Sequence, residues 1–271
     1  MPYAKSQFLE KYGPWALITG ASSGIGEALA FDLAERGINL VLVARRSEKL
    51  AEISQTLCVT SKIELRTLTA DLSKESDVRY VLEEIASLEI GLYMASAGFG
   101  TAGHFTENEA DIELNMIDVN CRALAALAHP LAVDMRDRGR GGLIFLSSIV
   151  AFQGVANSAN YAATKAYVQT LAEGLAIELA PNGVDVVASA PGPVATGFSS
   201  RAGMQMGGAA QADEVARLTL AALGRACTIR PGFKSKLLGY GLGTLPRRVR
   251  TAILTQVMAG MIKHRNGKTT T

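Results

Sequence analysis

Trp15-Ala-Leu-Ile-Thr19 is a short apolar run, and it leads without a break into Gly20-Ala21-Ser22-Ser23-Gly24-Ile25-Gly26. Five mostly apolar residues bounded by glycine have the length and composition of a fully buried strand. Helical spacing takes over at once through Ala28, Leu29, Phe31, Leu33 and Ala34, and Gly37 stands where a helix end favours a left-handed residue. Residues 38–43 form a second apolar run of strand type. Strand, glycine-rich turn, helix, strand is the first βαβ unit of a dinucleotide-binding fold. The glycines let the backbone approach a pyrophosphate, which rests on the free N–H groups opening the helix. Gly20, Ser22, Ser23, Gly24, Ile25 and Gly26 are therefore candidate cofactor contacts. A nucleoside-triphosphate loop would continue as Gly-Lys-Ser/Thr, whereas Gly26 is followed by Glu27 and Ala28.

The end of the second strand is where such a site distinguishes its cofactors. An acidic residue there binds the ribose hydroxyls of NAD; an arginine accommodates the extra phosphate of NADP. Here the strand runs into Ala44-Arg45-Arg46, with no carboxylate before Glu48. The planar guanidinium matches a phosphate, so Arg45 and Arg46 point to NADP(H).

Apolar strands keep alternating with helical segments. Strands are expected over 63–68, 92–95, 142–148 and 184–189, with a short run at 228–232. Helices are expected over 77–88, 111–138, 158–180 and 213–223. That alternation predicts an α/β fold, a doubly wound parallel sheet of about seven strands with helices on both faces. Ligands bind such sheets beyond the carboxyl ends of the strands. Gly20, Arg45, Asp71, Gly98, Ser148 and Pro191 all fall at expected strand ends, and so line one edge.

On that edge Tyr161-Ala-Ala-Thr-Lys165 carries the chemistry. Residues four apart share a helix face, and of the seven tyrosines only Tyr161 has a lysine four residues on. A charge about 4 Å away, at an effective dielectric of about 20, favours the phenolate by roughly 4 kcal/mol. That is on the order of 3 pKa units, enough to bring a phenol toward working pH. The same spacing also suits a solvated surface pair, so the surrounding motifs decide its weight.

The 271 residues suit one large domain, with 48% apolar and 19% charged residues excluding a disordered chain. A balance of 27 basic and 25 acidic residues, +2, lacks a nucleic-acid footprint. Cys58, Cys121 and Cys227 are scattered, as are His104, His129 and His264, so neither a disulfide framework nor a metal site is expected. With no apolar leader or membrane-length run, the expectation is a cytoplasmic protein. Residues 195–225 read as a substrate loop region, its Gly- and Met-rich first part mobile over the site. From about 246 to 264, Val249, Ile253, Val257 and Met261 recur every four residues among arginines. That is a basic amphipathic helix, read as packing or a subunit contact in preference to lying on a membrane surface.

Taken together these residues resemble the short-chain dehydrogenases/reductases, in their single-domain branch, from about residue 15 to 232. The family's Thr-Gly-x-x-x-Gly-x-Gly turn is met by Thr19, Gly20, Gly24 and Gly26, and its Tyr-x-x-x-Lys by Tyr161 and Lys165. Its supporting serine is met by Ser148, thirteen residues before the tyrosine, with Ser147 the competitor. Its helix asparagine is met by Asn120, its adenine-pocket aspartate by Asp71 (followed by Leu72), and its Pro-Gly motif by Pro191 and Gly192. The resemblance implies that Val194 and Thr196 touch the nicotinamide amide and the phosphates. It also implies that Lys165 holds the nicotinamide ribose and that Asn120 fixes a water between Lys165 and solvent. Where the family has Asn-Asn-Ala-Gly, this chain has Ala95-Ser96-Ala97-Gly98, keeping the small pair Ala97 and Gly98 but losing a bracing amide. The implied activity is NADP(H)-dependent interconversion of a carbonyl and an alcohol. The alternatives are a redox-sensing regulator that binds the dinucleotide without turnover, and an isomerase or dehydratase using the same tyrosine. Phe152, Gln153, Met204 and Met206 suggest a partly apolar substrate pocket. Association through the helices at 111–138 and 158–180 would give a homodimer or homotetramer.

Overall fold

The computed structural model describes residues 5–197 and 209–262. Its centre is a seven-stranded parallel sheet in the order β3-β2-β1-β4-β5-β6-β7. The strands are β1 (Trp15–Thr19), β2 (Asn39–Ala44), β3 (Leu65–Thr69), β4 (Ile90–Ala95), β5 (Gly141–Leu146), β6 (Val184–Ser189) and β7 (Thr228–Ile229). Every residue of β1, β4 and β5 is buried, because helices cover the sheet on both sides. The chain works outward from β1 to β3, then crosses back to β4 on the other side of β1. The crevice at that reversal is where ligands of open α/β sheets bind.

Alternate strand residues feed two cores. On one face Leu17, Val41, Tyr93, Phe145 and Val186 pack against α4 (Glu75–Ile85), α6 (Leu124–Arg138) and α7 (Ala159–Leu179). On the other Ala16, Ile18, Leu42, Met94 and Ile144 pack against α1 (Lys5–Tyr12), α2 (Gly24–Glu35) and α3 (Ser47–Thr60). The sequence reading places no helix at α3, although Leu50, Ile53 and Leu57 form its buried stripe. α8 (Ala212–Ala222) joins the second face through Ala216 and Leu220. The second half of the expected substrate loop at 195–225 is therefore this helix, held by its apolar stripe. Residues 198–208, with Met204 and Met206, lie outside the described residues. On either side of them, Ala195 N donates to Ala210 O and Ala210 N to Pro193 O, at 2.8 and 2.9 Å.

Two further differences bear on the site. The single helix expected over 111–138 is α5 (Ala110–Ile117), a π-helical turn at Asp118–Ala123, then α6. The wider turn adds a residue per hydrogen-bonded ring, and it carries Asn120, only 2% exposed, inward under the loop after β4. At the C-terminus two helices form a hairpin, α9 (Phe233–Gly243) and α10 (Arg247–Ile262). The expected stripe of Val249 and Val257 is exposed, while Leu254 and Met258 are buried. The packing face lies about one residue round from that stripe, because Leu254 and Met258 meet Val150, Val155 and Ala162 in a third, smaller core. Lys263 and His264 lie outside the described residues.

Candidate active site

A cleft of about 520 Å³ opens beyond the carboxyl ends of the strands. Its floor at one end is the glycine turn. Gly20 has φ +69°, and a Cβ there would come within 2.7 Å of the Ala97 backbone, so only glycine lets the turn pass beneath that loop. α2 begins at Gly24, and its first residues Gly24, Ile25 and Gly26 line the cleft, which puts a helix N-terminus where an anion can be received. Thr196 closes over this turn, with its methyl 2.7 Å from where a Cβ on Gly24 would stand.

The two arginines have different surroundings. Arg46 bonds to Ser22, its Nη2 reaching the carbonyl at 2.9 Å and Oγ at 3.0 Å, and it thereby ties β2 to the glycine turn. Arg45 is exposed at the lip of the cleft. Beside them Asp71 lines the wall with Leu72, and its carboxylate accepts from the Ser73 hydroxyl at 2.9 Å. The Asp71 N–H in turn donates to Asp77 and holds that carboxyl below its ordinary range.

The departure at Ala95-Ser96 has a visible answer. The Thr19 hydroxyl accepts from the N–H groups of Ser96 and Ala97, both at 3.3 Å, and lies 3.4 Å from Met94 O. A β1 side chain therefore braces the turn after β4. Ala97 and Gly98 line the cleft there.

At the other end stand Ser148, Tyr161 and Lys165. Ser148 and Lys165 are buried and Tyr161 is half-buried, and α7 delivers Tyr161 and Lys165 from its first two turns. The geometry separates the two serines: Ser147 Oγ points back to Lys165 O at 3.3 Å, while Ser148 hydrogen-bonds toward Tyr161. Burial pushes the Tyr161 phenol up to about 12, and the bond with Ser148 opposes that rise. Burial also lowers the Lys165 ammonium to about 8. The expected lowering of the phenol is thus reversed in this cleft. Desolvation disfavours both charges, and Lys165 Nζ, 5.8 Å from the Tyr161 ring centroid, donates to Leu146 O at 2.7 Å.

Asn120 does not line the cleft. Its amide accepts from Phe99 N at 3.1 Å and donates to Phe99 O at 2.9 Å and to Thr164 Oγ1 at 3.0 Å. Its side chain is a brace holding the loop after β4 against α7. Pro191, Gly192 and Val194 form the remaining wall, and Gly192 N donates to Ser235 Oγ of α9 at 2.7 Å.

The sequence reading missed the apolar wall facing these groups: Ile149, Val150, Leu238, Leu254, Val257 and Met258. Phe152 and Gln153, expected in the pocket, are not part of its lining. Gln153 bonds to Ile149 O at 3.2 Å, and the Phe152 ring lies 4.3 Å from the Arg230 guanidinium. Arg230 also approaches the Tyr240 ring at 5.4 Å. A Cβ on Gly239 would come within 2.3 Å of Arg230 Cδ, so the arginine lies flat along α9 only because residue 239 is glycine. Helical spacing in 233–243, with Leu238 and Leu242 on one side, was the available signal. Among the described residues no group of three His, Cys, Asp or Glu could hold a metal ion.

The short chain dehydrogenase family model matches residues 14–206. The 7beta-hydroxysteroid dehydrogenase of Clostridium sardiniense is 34% identical over 189 residues, 70% of this chain and 72% of that one. The inactive hydroxysteroid dehydrogenase-like protein 1 of Homo sapiens is 28% identical over 200 residues, 73% of this chain and 61% of that protein's length. A short-chain dehydrogenase from Sphingobium yanoikuyae, solved in complex with NADPH, superposes with a TM-score of 0.79 at 31% identity, covering 90% of this chain and 95% of that one.

Proposed function

The chain belongs to the short-chain dehydrogenase/reductase family of oxidoreductases, and from that premise we propose an NADP(H)-dependent reductase of bulky, largely apolar ketones. The observation that carries this reading is one cleft with two ends. A glycine-rich turn and an exposed arginine lie at one end, and a Ser–Tyr–Lys group faces an apolar wall at the other.

The residues present fit a dinucleotide. Gly20, Ser22, Ser23, Gly24, Ile25 and Gly26 would cradle the pyrophosphate, with Thr196 above it. Asp71 and Leu72 would border the adenine, and Arg45 would receive the ribose phosphate. Arg46 would act on the same pocket through the shape of the turn. Ala97, Gly98, Pro191, Gly192 and Val194 would leave room for the nicotinamide. When bound, that cofactor supplies or accepts a hydride at carbon.

The protein's own groups handle the oxygen. Tyr161 gives a proton to the carbonyl oxygen in reduction and takes it back in oxidation. With its pKa pushed up to about 12 the phenol keeps its proton through neutral pH, the state a general acid for reduction needs. Ser148 donates to the oxygen as negative charge develops there. Lys165 orients the sugar beside the ring and supplies positive charge below about pH 8. Asn120 acts on this set by holding Phe99 and Thr164 in place.

Leu238, Leu254, Val257 and Met258 support a substrate with a large apolar body, a chemistry shared with the hydroxysteroid relative's name. An inactive relative favours one second reading, a dinucleotide-binding protein without turnover. No helix among the described residues is long and apolar enough to cross a membrane. A cytoplasmic homodimer or homotetramer goes with this reading.

The test is NADPH consumption, followed by ultraviolet absorbance, with alicyclic and steroidal ketones, small aldehydes and oxoacyl thioesters, and with NADH alongside. Bulky ketones should be consumed fastest, and faster with NADPH. Tight NADPH binding with no turnover of any member would favour the second reading, and a preference for NADH would remove the role given to Arg45.

A further inference from the structure

The C-terminal hairpin has a face that the cleft does not use. From Val215 to Thr271 the chain carries eleven Lys or Arg and no Asp or Glu, while residues 1–214 carry 16 basic and 25 acidic residues. A net charge of +2 therefore conceals an acidic body with a basic C-terminal fifth. Such asymmetry between parts of a chain marks a contact with something anionic.

The helix faces show where. α9 turns Leu238 and Leu242 inward and leaves Lys236, Leu237 and Tyr240 outward, with Leu237 66% and Tyr240 67% exposed. α10 opens three residues later with Arg247, Arg248 and Val249, all exposed. Two consecutive helices thus present cations and large apolar side chains at exposed positions within 14 residues of chain.

We propose that this face docks on an anionic lipid surface. Arginine and lysine are drawn to the negative potential of such a surface. Leucine, valine and the phenol of tyrosine gain by entering the boundary between headgroups and acyl chains. Exposed aliphatic side chains, Leu237 and Val249, would gain nothing on a nucleic acid, which sets lipid ahead of it. The same hairpin carries the apolar wall of the cleft, and Val257, 38% exposed, stands in that lining. A docked hairpin would place the cleft wall beside the layer in which a lipophilic ketone dissolves. That last consequence rests on the proposed reaction, whereas the docking does not.

The test is flotation of the full chain with phosphatidylglycerol–phosphatidylcholine vesicles and with phosphatidylcholine vesicles alone, at low and high salt. The protein should float with the anionic vesicles only, and salt should release it. Arg247→Glu with Arg248→Glu should weaken flotation at least roughly 10-fold, and Leu237→Ser should weaken it several-fold, with NADPH binding unchanged in both. Flotation on neither vesicle, or equal flotation by the charge-reversed protein, overturns the proposal. So does sedimentation showing that Leu237→Ser splits an oligomer, which would make this face a joint between copies. Tighter binding of RNA than of anionic vesicles in the same buffer would also overturn it.

Discussion

The cleft has two walls of different origin. One is made by strand ends and the turns that follow them: the glycine turn, Arg45, Asp71, Gly98, Ser148 and Pro191. Its positions follow the ends of a sheet whose central strands are fully buried, and at Gly20 a positive φ and a close backbone approach dictate the residue type. The other wall is the α9–α10 hairpin, which pairs with no strand. It is held by a small core around Leu242, Leu254 and Met258, by Ser235 on Gly192, and by Arg230 on Tyr240. The sheet-borne wall suits a group whose shape never changes, such as a dinucleotide. The helical wall can vary in sequence without disturbing the sheet, and so suits the choice of substrate.

The largest effect should come from the sheet-borne side. Tyr161→Phe is expected to lower turnover by about 10³-fold, the scale of a lost general acid, while leaving NADPH binding within about twofold. Steady-state assays and a binding titration read the two separately. Residual turnover near that of the wild type would remove the proposed acid.

Next comes a pH effect on folding. Lys165 is lowered to about 8 in the folded protein from 10.5, so between those values the unfolded chain binds more protons. Lys165 therefore adds stability as pH climbs from about 8, while Cys121, whose thiol burial pushes up from 9.0 to about 11, takes stability away above pH 9, so the net rise is confined to about pH 8–9. Tyr161 has the opposite sign. Its pKa is raised from 10.0 to about 12, so its contribution falls as pH passes from 10.0 upward. Urea melts across this range should show the rise in the wild type and not in Lys165→Met.

Arg45→Ala should weaken NADPH by about 10- to 100-fold, a charged hydrogen bond being worth about 1.5–3 kcal/mol, with little change for NADH. Arg46→Ala should weaken both alike, because Arg46 acts on the turn through Ser22. Equal losses with the two cofactors in Arg45→Ala would undo the assignment.

The smallest effect belongs to the hairpin clamp. Arg230→Ala should raise KM for a bulky ketone several-fold, consistent with about 0.5–2 kcal/mol for a cation stacked on aromatic rings. Gly239→Ala should do the same by displacing Arg230, and the double variant should be no worse than either single one. Additive losses would mean that the two residues do not act together.

How much of this could be read from the chain alone divides along the same line. β1, the glycine turn, α2 and β6 were legible because composition and glycine placement fix them locally. Tyr161, Lys165 and Ser148 were legible through their spacing. The titration of Tyr161 was not, since the i to i+4 spacing gives the distance between charges but not the burial that outweighs it. The π turn around Asn120 was hidden because its residue types are ordinary helix formers. For the hairpin, an amphipathic period gave the helix but not the partner that selects which side is buried. Leu254 and Met258 became core only because Val150 and Ala162 lie opposite.

The division between the two walls is tested most directly by Leu238→Ala, assayed with a bulky ketone that the wild type reduces and titrated in parallel with NADPH. KM for the ketone should rise about 10-fold, with kcat and the NADPH dissociation constant within about twofold, because a cleft-lining side chain on the hairpin shapes only the substrate end. A matching loss of NADPH affinity, or an unchanged KM, would contradict it.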